Sequence, residues 1–247
     1  MTRLSGKTAV VTGGGRGLGS AISTALAAEG AHVVVVDRNR EAADDMVAQI
    51  KAAGGSASAE ILDISDRQAV TAFGGRMLAQ YGKIDVLVNN AGIAPRIRPH
   101  DADQAEKWDQ VINVNLTAQW DITVALLPAL KHSGASVIFV SSIAGFTAPR
   151  SSAAYGATKA AVRSLVQYFS RTLGPTGGRA NGLAPGRIKS DLMTVTGEAG
   201  EKFLQRVPLG RVGETHEIAG PVVFLASDMS SYVTGVTIPV DGGYLAL

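Results

Sequence analysis

The chain has no cysteine. That removes disulfide frameworks, thiolate metal sites and thiol nucleophiles together. Histidine is scarce as well. His32, His100, His132 and His216 are scattered along 247 residues, which argues against a histidine-built metal centre. No apolar run approaches the ~20 residues of a membrane span. The first six residues, Met1-Thr2-Arg3-Leu4-Ser5-Gly6, contain no apolar stretch of the signal-peptide kind. Neither sign of charge dominates: the net charge is +2, and no basic stripe interleaved with aromatics appears, so nucleic acid is not an expected partner. The expectation from these absences is a cytoplasmic globular protein that holds no metal.

What is abundant is glycine, 29 residues of 247, well above the usual ~7%. The glycines fall in short motifs and not in a repeat, so they read as tight turns and close backbone approaches. Short β-branched runs alternate with longer helical patterns. Strands are predicted at residues 8–12, 32–36, 58–61, 84–89, 136–141, 179–184 and 236–240. Helices are predicted at 19–30, 40–53, 66–81, 106–131, 153–173 and 214–227. Val33-Val34-Val35-Val36 is the continuous apolar run of a strand buried on both faces. This βαβα order predicts a doubly wound α/β fold, with about seven parallel strands and helices on both faces. No linker divides residues 1–247, so one domain is expected. Gly74-Gly75 is expected to interrupt its helix, and Pro221 to kink the last helix or delay its start.

The first strand runs into Thr12-Gly13-Gly14-Gly15-Arg16-Gly17-Leu18-Gly19, where the first helix opens. A glycine loop in that context can cradle a dinucleotide. Gly13 permits the turn, Gly17 admits a pyrophosphate to the backbone, and Gly19 brings helix and sheet together. The phosphates then meet the positive end of the helix beside Arg16 and Leu18. The spacing differs from the common Gly-x-Gly-x-x-Gly. Asp37 ends the second strand, where a carboxylate accepts from ribose hydroxyls and repels a 2′-phosphate. That favours NAD over NADP, although Arg38 and Arg16 can each pair a phosphate. Asp63 and Ile64 follow the third strand; Asp63 can meet an adenine amine or simply begin a helix. Asn90-Ala91-Gly92 follows the fourth strand, at the edge where an open α/β sheet places ligand, and reads equally as a turn.

Tyr155 and Lys159 lie at i and i+4 and share one helix face, with Ser142 thirteen residues upstream. An ammonium beside a phenol favours the phenolate and should lower the tyrosine pKa. A phenol so tuned can act as general acid and base.

These motifs, with Asn113-Val114-Asn115-Leu116, Asn181-x3-Pro185-Gly186 and Val240-Asp241-Gly242-Gly243, resemble the short-chain dehydrogenase/reductase family in its compact one-domain branch. The resemblance spans about Lys7 to Gly243 and implies a Rossmann-type sheet. It implies that Tyr155 transfers the proton and that Lys159 lowers its pKa and binds the nicotinamide ribose. Ser142, better placed than Ser141, polarises the substrate carbonyl, and Asn115 holds a relay water. Pro185 and Gly186 back the nicotinamide, with Ile188 and Ser190 near its carboxamide. It also implies a homodimer or homotetramer through helices 106–131 and 153–173. Three activities stay open: an NAD-dependent dehydrogenase or reductase of a small secondary alcohol or ketone, an NADPH-dependent 3-oxoacyl-carrier-protein reductase, and a non-catalytic dinucleotide sensor. The substrate walls are expected from loops 93–100, 143–152 and 187–210, the last partly helical over 200–206. Arg96, Arg98, Arg150, Arg187 and Lys189 in these loops read as a carboxylate or phosphate clamp, or as solvated charge. Ala94, Phe146, Leu192 and Met193 are apolar wall candidates, and Trp108 and Trp120 are expected to pack helices.

One departure stands out. Where the family usually reads Gly-Ile-Arg-Val-Asn, this chain has Gly177-Gly178-Arg179-Ala180-Asn181. Two lost apolar side chains predict a weak spot that Gly178→Ile plus Ala180→Val would stabilise.

Overall fold

The computed structural model describes residues 2–132, 134–148, 152–189 and 198–246, with backbone alone at 198 and 199. Arg150, Ser190, Leu192 and Met193 lie outside the described residues. In chain order the elements are β1 (Thr8–Thr12), α1 (Gly17–Ala28), β2 (His32–Asp37), α2 (Arg40–Ala52), β3 (Ser56–Ile61), α3 (Arg67–Tyr81), β4 (Val86–Asn89), α4 (Gln104–Ile112), α5 (Ala118–Leu130), β5 (Ser136–Val140), α6 (Ala153–Leu173), β6 (Arg179–Pro185), α7 (Glu198–Leu204), α8 (Thr215–Ala226) and β7 (Thr237–Val240).

The seven strands form one parallel sheet in the order β3-β2-β1-β4-β5-β6-β7. The valine run of β2 shows why helices must cover both faces. Val34 and Val36 join a core with Phe73 of α3, Ile122 of α5 and Phe169 of α6. Val33 and Val35 join a second core with Ile22 of α1, Met46 of α2 and Val222 of α8. Side chains alternate across a strand, so a strand apolar at every position needs two apolar neighbours. Between β1 and β4 the winding reverses, and that switch point opens the crevice for ligand.

Three sequence expectations are corrected by packing. Gly74 does not break α3, which runs unbroken through it. A Cβ at Gly74 would overlap the Ala125 backbone, so this glycine lets α3 and α5 touch. α8 already begins at Thr215 and runs through Pro221, so the helix does not start late. That helix starts with a reciprocal cap between Glu214 and Glu217. Arg211 grips Glu217 through two 2.7 Å contacts and holds its carboxyl down to about 2. The single helix expected over 106–131 is instead α4 and α5 joined by a π-turn at Asn113–Thr117. Such one-residue expansions occur often at functional positions, and this one contains Asn115.

Candidate active site

The glycine loop is shaped by backbone requirements. Gly13 and Gly17 take left-handed φ values of +59° and +55°. A Cβ on Gly19 would overlap the Gly13 carbonyl oxygen, so the first turn of α1 lies directly on the loop. The Asn90 amide reaches across the switch point and donates to the carbonyls of Thr12 (2.9 Å) and Gly13 (3.1 Å). The Thr12 hydroxyl accepts from Asn90 N and Ala91 N at 3.0 and 3.1 Å and donates to Val88 O. Asn90 therefore braces the loop with its amide, and only its remaining surface faces the cleft.

A cleft of about 980 Å³ extends from this loop across the ends of the central strands. At one end stand Asp37 and Asp63; at the other stand Ser142, Tyr155, Lys159 and Gly186. Arg16, Leu18, Arg38, Ile64, Ala91, Gly92, Pro185 and Ile188 also line it. Of the residues expected here, Asn115 lies one layer behind and Ser190 falls outside the described residues. Asp37 accepts from Gly15 N (3.2 Å) and Asn39 N (3.0 Å), which fixes its carboxylate at the cleft edge. Asp63 accepts from the Ser65 hydroxyl and amide at 2.6 and 2.9 Å, which hold its carboxyl below the ordinary range. It is thus both a local turn-former and a cleft residue. Arg16 points to Glu41 at 4.0 Å, and both side chains are exposed. A bare backbone cradle at a helix N-terminus, with a fixed carboxylate beyond it, fits a dinucleotide.

At the other end, the Ser152 hydroxyl caps α6 by accepting from Tyr155 N at 3.3 Å. Lys159 sits one turn further on and is almost wholly enclosed. Its Nζ donates to Val140 O at 2.7 Å and lies 5.6 Å from the Tyr155 ring centre. Burial pushes the Lys159 pKa down to about 8. Burial also raises the Tyr155 pKa, opposed by a hydrogen bond with the Ser142 hydroxyl. The expected lowering by Lys159 does not set the direction here: desolvation raises the pKa and favours the phenol. The two serines face different partners. Ser142 meets Tyr155, whereas Ser141 donates to Lys159 O at 2.7 Å and braces the helix.

Asn115 makes a two-way clasp with Ile93, each bond 2.8 Å. This clasp fixes the Asn115 carboxamide and leaves one N–H and one lone pair of it unspent. Asn115 belongs to the cluster. A Cβ on Gly92 would stand 3.2 Å from Asn115 Oδ1 and 3.6 Å from Lys159 Nζ.

Among the described residues the loop cations do not converge as a clamp. Arg187 lies over Phe203, Lys189 pairs with Glu214 at 3.7 Å, and Arg96 and Arg98 are exposed. Trp120 packs as expected, 5.4 Å from both Tyr168 and Phe169, while Trp108 is partly exposed. Sequence reasoning missed Leu62 and Thr215, which line the cleft. Leu62 follows β3 at the ligand edge and was findable by that rule; Thr215 opens α8, and no local signal marks it. It also missed Arg163, which lies 3.7 Å over the Phe146 ring and donates to Gly145 O at 3.0 Å.

A family model described as Enoyl-(Acyl carrier protein) reductase matches residues 13–245. A short-chain dehydrogenase/reductase from Serratia marcescens has the same fold with a TM-score of 0.92 and 30% identity, covering 98% of this chain and 99% of that one. The chain belongs to the short-chain dehydrogenase/reductase family. It is an oxidoreductase that uses NAD or NADP. Among similar members is the 3-oxoacyl-acyl-carrier-protein reductase of Thermotoga maritima, 37% identical over 98% of both chains. Another is a gluconate 5-dehydrogenase from Burkholderia cenocepacia, solved with NADP and tartrate. Its TM-score is 0.92 at 35% identity, over 100% of this chain and 98% of that one.

Proposed function

We propose that this family member is an NAD-dependent dehydrogenase of small secondary alcohols, working reversibly to the ketone, with Tyr155 as general acid and base. One observation carries the reading: Ser142, Tyr155 and Lys159 meet at one end of a cleft whose other end holds the Asp37 carboxylate. The backbone of Gly13, Gly17 and Gly19 receives the pyrophosphate, with Arg16 and Leu18 beside it. Asp37 accepts from the adenosine ribose, and Arg38, Asp63 and Ile64 flank the adenine. Asn90, Ala91, Gly92, Pro185, Gly186 and Ile188 border the nicotinamide half. A bound nicotinamide supplies the hydride acceptor or donor.

The residues of the chain handle the substrate oxygen. Ser142 donates to it and fixes its distance from Tyr155. In the reducing direction the Tyr155 phenol gives its proton to the developing alkoxide; in the oxidising direction the phenolate takes the alcohol proton back. Lys159 supplies the positive charge that steadies the phenolate and donates to the nicotinamide ribose. Asn115 holds Ile93, and with it one wall of the reacting end. With Asn115, Ser142, Tyr155 and Lys159 all assembled, a catalytic role is better supported than a sensor.

Asp37 is the reason for preferring NAD. A fixed carboxylate repels a 2′-phosphate, and Arg16 is turned towards Glu41. The likeness to the Thermotoga maritima reductase favours a second reading, a 3-oxoacyl-carrier-protein reductase using NADPH. One screen separates them. Purified protein is given NAD(H) or NADP(H) with cyclohexanol, polyols, hydroxy acids and 3-oxoacyl thioesters, and nicotinamide absorbance is followed. Turnover of an alcohol with NAD supports the first reading; turnover only of thioesters with NADPH replaces it with the second.

The chain is further proposed to work in the cytoplasm as one domain and to assemble as a dimer or tetramer. Trp120, Val124 and Tyr168 expose apolar surface on α5 and α6, which suits a self-association face. Light scattering that gives the mass of one chain rejects the assembly. No helix among the described residues is long and apolar enough to cross a membrane.

A further inference from the structure

Four side chains from three separate places form one column. Arg187 Cζ lies 4.6 Å from the centre of the Phe203 ring. Phe203 and Tyr244 stack 4.8 Å apart, with their planes 17° from parallel. Arg206 Cζ lies 4.6 Å from the centre of the Tyr244 ring. The order is cation, ring, ring, cation, so each guanidinium meets an aromatic face. Neither arginine has a carboxylate partner among the described residues.

The column anchors α7, alongside Val207 and Leu209 just beyond the helix, which meet Gly242. This helix has seven residues, too few to hold itself together. It makes no extensive contact with any strand or any other α-helix. Phe203 lies on α7 and Arg206 just beyond it, whereas Tyr244 opens the terminal turn. That turn is fastened by Asp241, whose carboxylate accepts from Gly243 N and Leu245 N, each at 2.9 Å. Asp241 in turn backs the cleft: a Cβ on Gly186 would stand 2.8 Å from Asp241 Cα. Arg187 lies between Gly186 and Ile188, both of which line the cleft.

We propose that Tyr244 is a positioning residue for substrate. It does not meet the reacting atoms; by sitting between Phe203 and Arg206 it holds α7 against Arg187, whose neighbours Gly186 and Ile188 line the cleft. The proposal rests on the reading of the cleft as a substrate site given above. The cofactor wall hangs on other bonds. Gly186 N donates to Val240 O at 2.9 Å, Lys189 N to Gly213 O at 2.8 Å, and Gly213 N to Arg187 O at 3.0 Å. Loss of the Tyr244 ring therefore loosens α7 and leaves the Gly186–Lys189 wall in place.

The test compares Tyr244→Ala, Tyr244→Phe and the parent. It uses the fastest secondary alcohol of the screen, NADH fluorescence titration, and amide exchange over residues 200–206. Tyr244→Ala is expected to raise the alcohol KM about ten-fold, with kcat and the NADH Kd within about two-fold. Exchange at 200–206 should quicken while the central strands stay protected. Tyr244→Phe keeps the ring and should restore both. Unchanged exchange overturns the proposal. So does an equal rise in the NADH Kd, a fall in kcat at constant KM, or a Phe variant that fails to rescue. If Tyr244→Ala does not fold, Arg206→Gln removes the outer cation and carries the same test, with about a three-fold KM rise. If the parent turns over no alcohol, the functional reading fails by itself, and the exchange comparison still decides whether Tyr244 holds α7.

Discussion

The two ends of the cleft are made of different things. The dinucleotide end is made of backbone, and its requirement is that side chains be absent. Gly19 has no room for a Cβ, and Gly13 and Gly17 adopt conformations that other residues avoid. The reacting end is made of side chains forced into burial. Lys159 is enclosed against Val140, and desolvation pushes Lys159 and Tyr155 in opposite directions. One end should therefore fail when atoms are added, and the other when they are removed.

The largest effect is expected at the reacting end. Tyr155→Phe removes the transferable proton and leaves the ring in place. General acid–base groups contribute about 10²–10⁴-fold, so kcat should fall by roughly three decades while NADH fluorescence titration stays unchanged. Retained turnover would move the proton role to another group. At the dinucleotide end, Gly19→Ala forces the loop from α1. It should weaken NADH binding about a hundred-fold and cost about 2 kcal/mol of stability. The Ser142–Tyr155 grouping lies far along the cleft, so kcat at saturating cofactor should stay within a few-fold. Should both constants fall together, the two ends are not independent and the comparison breaks.

The two ends were also unequally legible. The glycine loop, Asp37 and the Tyr155/Lys159 pair are local patterns whose chemistry follows from spacing, and the structure sets them in one cleft. The alternating sheet was readable because Val33–Val36 needs two apolar faces. Long-range packing was not readable. Gly74 looked like a helix breaker because the sequence does not show Ala125 lying against it. The π-turn around Asn115 leaves no local mark, since its residues have ordinary helical character. The basic loop residues left a clamp open beside plain solvated charge, and the sequence does not show that Arg187 lies over Phe203, sixteen positions further on. The sign of the Tyr155 shift was missed because adjacency to Lys159 is visible in a sequence and desolvation is not.

Lys159 sharpens the comparison by separating function from stability. Its pKa falls from 10.5 to about 8 on folding. Between those values the folded chain holds fewer protons than the unfolded chain, so stability rises as pH rises through that window. Below pH 8 the buried charge weighs against the fold by roughly 3 kcal/mol. Lys159→Met should therefore abolish turnover and yet be at least as stable as the parent at pH 7. That advantage should shrink towards pH 10. Denaturant unfolding at the two pH values checks it, and a stability difference independent of pH would mean that burial does not depress this lysine.

The smallest effect concerns the strand that leads to Pro185 and Gly186. The missing side chains at Gly178 and Ala180 suggested a weak spot to be filled. The structure divides the two positions. A Cβ at Gly178 would lie 3.1 Å from Leu173 Cβ and 3.5 Å from the carbonyl oxygens of Ala135 and Leu173. Leu173 already occupies that space, and a branched side chain must displace it. Ala180 is fully buried in the core shared with Phe139 and Phe169, where two added methyl groups must find room. Gly178→Ile is accordingly expected to lose about 1 kcal/mol, or about 2 °C of melting temperature in a chain of this size, which reverses the gain expected from sequence. Ala180→Val measured alone tells whether any of that gain survives. A Gly178→Ile protein that melts at or above the parent temperature would show that Leu173 gives way freely. This strand would then be a loosely packed support for the cofactor wall, unlike the loop at Gly19, where no atom can be added.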